Sequence, residues 1–114
     1  MDNKLKKYKQ IVSEVLDEVG LPGLKPDDPI QTQFIKDHES GHYLLFSAGW
    51  KGKKRIYGCF LHIDVMENGR VWLQHDGTDL VVGQMLLDKG ILKQDLVLGF
   101  LHPNRRKDTE YAVT

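Results

Sequence analysis

Between residues 3 and 19, Leu5, Tyr8, Ile11, Val12, Val15, Leu16 and Val19 recur at steps of three and four. That spacing places them on one face of an α-helix. Asp2 or Asn3 can cap its start, and Gly20 with Pro22 can end it. The lysines of this segment come early, whereas Glu14, Asp17 and Glu18 come late, an order that opposes the helix dipole. The simplest reading is a solvated face carrying a small penalty. The alternative is that these charges answer a partner surface. "GLPGLKPDDP" then reads as a loop.

The pattern next changes from helical to strand-like. Four strands are predicted: Ile30 to His38, His42 to Trp50, Arg55 to Met66 and Arg70 to Gln74. Their separators, "ESG", "KGKK" and "ENG", are short enough for hairpins, which predicts an antiparallel meander. Strand parity puts Leu44 and Phe46 on one side together with Cys59, Leu61, Ile63 and Val65. This aliphatic side is the natural seat of the N-terminal helix. The other parity of the third strand carries Gly58, Phe60, His62, Asp64 and Met66.

Two registers compete at the last hairpin. A two-residue Asn68-Gly69 turn sets His62 opposite His75. A three-residue "ENG" loop with a bulge at Gly69 sets His62 opposite Gln74 and Asp64 opposite Trp72. The second sorts apolar from polar residues cleanly and is preferred, because a slip of one residue would reverse the faces.

Asp76 or Thr78 is placed to cap a second helix at about 78–89, with Leu80, Val81, Met85 and Leu86 as its apolar stripe. Gly90 followed by Ile91 suits its end. "DLVLGFL" (95–101) reads as extended and buried, and a polar tail follows a turn at Pro103. The predicted fold class is α+β: a four-stranded antiparallel meander sheet with an N-terminal helix and a second helix after the sheet, in one domain spanning 1–114.

Composition removes several functions. Among 114 residues, 16 Lys plus Arg balance 16 Asp plus Glu, which disfavours a protein whose main work is gripping DNA phosphates. The single cysteine, Cys59, allows no internal disulfide. No apolar run approaches a membrane span, and the basic start leads into an amphipathic pattern rather than an apolar signal region. A cytoplasmic protein without a membrane role is expected.

Candidate chemistry is sparse. A metal would need His62, Asp64 and His75 to converge, which only the two-residue-turn register permits, and no compact ligand motif supports it. Cys59 belongs to the aliphatic side, where thiols are inert. His102, Arg105, Arg106 and Tyr111 are residue types used by tyrosine recombinases, but here they crowd into one short tail. Lys51, Lys53, Lys54 and Arg55 make a basic turn that is either solvated or a nucleic-acid contact. What remains is surface. Aromatic and polar residues mixed on a sheet face suit protein docking, and Phe60, His62, Asp64, Trp72 and Gln74 are the candidate contact residues, with Arg105, Arg106 and Tyr111 second.

"RIYGCFLHIDVMENGRVWLQHDGTD" (55–79), with "HYLLFSAGW" before it and "LVLGF" and "RKDTEYAV" after it, closely resembles the fdxN element excision controlling factor family, the XisI-like proteins. The match runs from about Tyr8 to Val113, with Leu92 and Asn104 standing where Pro and Glu are expected. The resemblance implies a chiefly cyanobacterial controlling factor and carries over no catalytic residues; with zero net charge and no catalytic constellation, a non-enzymatic accessory protein without a cofactor is expected. It would act with a companion XisH-like protein in programmed excision of a DNA element, while a separate recombinase cuts and joins the DNA. A second copy of the chain and DNA are further partners to consider. A DNA-binding accessory protein using the basic turn, and a small metal-dependent hydrolase, are the alternatives.

Overall fold

The computed structural model describes residues 2–114. Helix α1 (Asp2–Gly20) leads through a short 3-10 turn (Leu21–Gly23) to β1 (Ile30–Asp37), β2 (His42–Lys51), β3 (Lys54–Val65) and β4 (Val71–Asp76). Helix α2 (Val82–Lys89), β5 (Leu96–Leu98) and a single helical turn, α3 (Pro103–Arg106), complete the chain. Asn3 lies inside α1 rather than capping it; the side chain of Asp2 is outside the described residues.

The sheet has five strands in the order β1-β2-β3-β4-β5, so the expectation of four antiparallel strands is corrected. The first four form the predicted meander, and β5 joins β4 in parallel, with Val71, Trp72 and Leu73 opposite Leu96, Val97 and Leu98. A parallel neighbour cannot be reached by a hairpin and needs a crossover. The segment holding α2 supplies it.

The helical face of α1 packs as its spacing predicts. Tyr8, Ile11, Val12, Val15 and Leu16 bury against Tyr43 and Leu45 of β2, Leu61, Ile63 and Val65 of β3, and Val71 and Leu73 of β4. Val82 and Leu86 of α2 join the same core, so both helices cover one side of the sheet. Gly20 is not a left-handed cap: its backbone is right-handed, at φ −88° and ψ −35°. It is needed because a Cβ there would lie 2.5 Å from the Phe34 ring.

The opposed charges of α1 meet partners within the chain. Lys4 pairs with Asp95, Asp17 with Lys36 of β1, and Glu18 with Lys89 of α2, at 2.8, 2.7 and 2.9 Å. Thus the charges do answer a surface, and it is the protein's own.

In β3 parity fails at Phe60, with consequences. Leu45 is opposite Leu61 but Phe46 is opposite Cys59, leaving Phe60 as an extra residue in β3. Such a bulge turns neighbouring residues to one side. Phe60 therefore packs against the core beside Leu61, and Cys59 shares the far face with Phe46. Leu44, expected in the core, also lies on the far face, whereas Tyr43 and Leu45 are fully buried.

Helix α2 begins at Val82 rather than near Thr78. Asp76 Oδ1 accepts from the Thr78 amide at 3.0 Å and its hydroxyl at 2.6 Å, and Thr78 Oγ1 accepts from the Leu80 amide at 3.1 Å. These local bonds compete with helix formation. Asp76 Oδ2 still accepts from the first helical amide, Val82, at 3.3 Å. Leu80 and Val81, expected in the apolar stripe, are exposed. Gly90 and Ile91 close the helix with amide bonds to Leu87 and Leu86, both at 3.0 Å. No helix among the described residues is long and apolar enough to cross a membrane.

Candidate functional site

The β3–β4 hairpin reconciles the two registers weighed from sequence. Its tip follows the three-residue reading: the Met66 amide bonds the Arg70 carbonyl, and Gly69 is left-handed at φ +89°. That sets Asp64 opposite Trp72 and Ile63 opposite Leu73. The register then shifts, with Gln74 as the extra residue, so that His62 is opposite His75 after all. Two bulges thus interrupt the ladders here: Phe60 is extra in β3 just before Leu61 and His62, and Gln74 is extra in β4 at the step between His62 and Ile63.

Beside these bulges lies a compact polar cluster on the far face of the sheet. His42 opens β2 and is the cross-strand partner of Asp64. Asp64 Oδ1 accepts from His42 Nδ1 and His62 Nε2, each at 2.8 Å, and its Oδ2 accepts from Gln74 Nε2 at 3.0 Å. An ionised carboxylate only accepts, so both facing ring nitrogens carry hydrogen. The Asp64 side chain is 7% exposed, against 31% for His62 and 52% for His42. Burial pushes the Asp64 carboxyl up, but the bonds from His42, Gln74 and His62 outweigh it and hold the group below the usual carboxylate range.

His62, Asp64 and Gln74 were candidates from the sequence, and the structure brings them together. His75 is exposed and is not among the groups that converge with them. His42 was missed. The "ESG" hairpin sets it opposite Asp37, whereas its pairing with Asp64 comes from the β2–β3 ladder beyond the bulge, and the parity error at Leu44 hid the shared face.

The other candidates separate. Phe60 leaves the contact face for the core, by the bulge already described. Trp72 is half-buried beneath Arg106, whose guanidinium lies 4.9 Å from the ring centre and donates to the Gly99 carbonyl at 3.3 Å. Val97, beside Trp72 on this face by register, is fully buried. The tail is further tied by a bridge between Val97 and Ala112, whose amide bonds the Leu96 carbonyl at 2.9 Å. Tyr111 packs partly against the core, and Arg105 stays exposed. So the tail covers the β4–β5 end of the far face, and the recombinase-type residues are dispersed.

Toward β1 the same face is open. Trp50, Tyr57 and Ile35 are exposed by 51%, 67% and 43%. Arg55 lies 5.4 Å from the Trp50 ring centre and 5.5 Å from that of Tyr57. Phe46 abuts Tyr57, with ring centres 6.0 Å apart. The basic residues Lys51, Lys53 and Lys54 are exposed at the adjoining β2–β3 turn.

The Cys59 thiol donates to the Leu61 carbonyl at 3.2 Å, and burial pushes its pKa up. A raised thiol pKa disfavours the thiolate form.

The family model described as XisI protein matches residues 1–113. The crystal structure of a XisI-like protein from Anabaena variabilis superposes with a TM-score of 0.88 at 34% identity, covering 96% of this chain and 99% of that one. The fdxN element excision controlling factor XisI from the same organism gives 0.85 at 32% identity, covering 97% and 99%. A search among curated proteins found no match.

Proposed function

Because the chain belongs to the XisI family, we propose that it is a non-enzymatic controlling factor in programmed excision of a DNA element, acting by docking an XisH-like protein. The observation that carries the reading is the open end of the far sheet face. Trp50, Tyr57 and Ile35 expose large apolar surface there, and Arg55 stacks between the two aromatic rings. Aromatic residues with arginine are enriched among the residues that dominate binding energy. The adjoining lysines favour a partner with carboxylates around an apolar centre. His62, Asp64 and Gln74 border this surface through Leu44, the cross-strand neighbour of His62. The docking surface is thus shifted toward β1 from the one expected of Phe60 and Trp72.

Binding of a purified XisH-like protein tests the reading. Trp50→Ala with Tyr57→Ala should weaken it by ~2 kcal/mol or more, as for central aromatic anchors. Equal binding by wild type and double variant would remove this surface from the account. The exposed Lys51, Lys53 and Lys54 favour one rival, DNA contact through the turn. That rival requires duplex binding that falls steeply with salt and is lost when the three lysines are replaced.

A further inference from the structure

We propose that His42, His62 and Asp64 form a three-ligand site for a divalent transition ion of the zinc type. His42 Nδ1, His62 Nε2 and one Asp64 carboxylate oxygen all lie within 4.8 Å of one another. Two imidazoles and a carboxylate are the donor set of open zinc sites and of related sites for other first-row ions. This set is assembled by the sheet rather than by a sequence motif. His42 and Asp64 are cross-strand partners, and His62 lies two residues from Asp64 on the same face.

The spacing is close to what coordination needs. Metal–ligand bonds of ~2.0–2.2 Å at tetrahedral angles place ligand atoms about 3.3 Å apart. Both imidazole nitrogens now lie 2.8 Å from Asp64 Oδ1. Seating an ion would open each of these two separations by about half an ångström and set the two histidine nitrogens, which lie within 4.8 Å of one another, at a similar spacing. Coordination takes neutral imidazoles, so the ring hydrogens move from the facing nitrogens to the outward ones, His42 Nε2 and His62 Nδ1.

The surroundings fit as well. Gln74 Nε2 donates to the remaining Asp64 oxygen at 3.0 Å, the kind of outer contact that fixes a ligating carboxylate. Asp64 is anchored in the sheet, whereas His42 is half exposed. An ion held here therefore keeps at least one position toward solvent, free for water or for a donor from a docked protein. The site needs no excision role and stands or falls apart from the partner reading.

The test is calorimetric titration of the untagged, chelator-stripped full chain with zinc chloride, with circular dichroism confirming each variant's fold. The expected result is one equivalent bound by wild type. His42→Ala, which removes the most exposed ligand, should weaken binding by ~100-fold, and Gln74→Leu by ~10-fold or more. His75→Ala, altering an exposed histidine outside the cluster, should leave it unchanged. The proposal is overturned if wild type binds no stoichiometric zinc, if His42→Ala binds as wild type does, or if His75→Ala abolishes binding. The first of these outcomes would leave the three residues as a hydrogen-bonded strut.

Discussion

Asp95 is 1% exposed, and replacing it with Ala should be among the costlier single changes in this chain. Its Oδ2 accepts from the Tyr8 hydroxyl at 2.5 Å and from Lys4 at 2.8 Å, and its Oδ1 accepts from Arg70 at 3.1 Å. One carboxylate thereby ties α1, the start of β4 and the approach to β5. A hydrogen bond to a charged group contributes about 1.5–3 kcal/mol, but Lys4 and Arg70 are 46% and 36% exposed. Both can regain water after the change, so their share is discounted. Tyr8 is buried and keeps a bond from the Leu92 amide at 3.3 Å. The expected loss is therefore ~2–3 kcal/mol, below the ~3–5 kcal/mol that follows stranding a buried charge. For a chain of this length that corresponds to a fall in Tm of about 8–12 °C.

The pH dependence sharpens the test. Burial raises the Asp95 pKa, but the bonds from Lys4 and Tyr8 and the charges of Lys4 and Arg70 outweigh it, leaving the group below its ordinary value. A carboxyl with a depressed folded pKa adds stability that is full above the unfolded value of about 3.9 and is lost as pH falls through the folded one. Urea unfolding followed by circular dichroism at pH 7 and near pH 3 should thus show a wide gap between wild type and Asp95→Ala that narrows in acid. A variant as stable as wild type at pH 7, or a gap that does not shrink, would refute the reasoning.

Other changes follow from single contacts. Gly20→Ala puts a methyl 2.5 Å from the Phe34 ring and should cost ~1–3 kcal/mol by urea unfolding. Phe60→Ala should destabilise by ~2 kcal/mol, because the half-buried ring packs against the core rather than facing a partner; equal unfolding midpoints would contradict that placement. Arg106→Ala removes the stack on Trp72 and the bond to the Gly99 carbonyl. It should cost ~1 kcal/mol and speed proteolysis of the tail, measured by limited digestion.

The period of the apolar residues was enough to define α1, because a helix face depends on local spacing and its whole stripe entered the core. The hairpin separators likewise marked the four-strand meander, since turn length and glycine placement are local properties. The family resemblance also rested on contiguous residues. Tertiary structure decided the rest. Alternation along a strand predicts faces only while the ladder is unbroken, and the extra residues Phe60 and Gln74 break it. No periodicity marks such a bulge, because it arises from how two strands fit against each other. For the same reason β5 was legible as extended chain but not as a parallel neighbour of β4. The His42–His62–Asp64 cluster needed residues 22 positions apart in sequence to meet across a ladder, and its geometry exists only once register, bulges and tail are all in place.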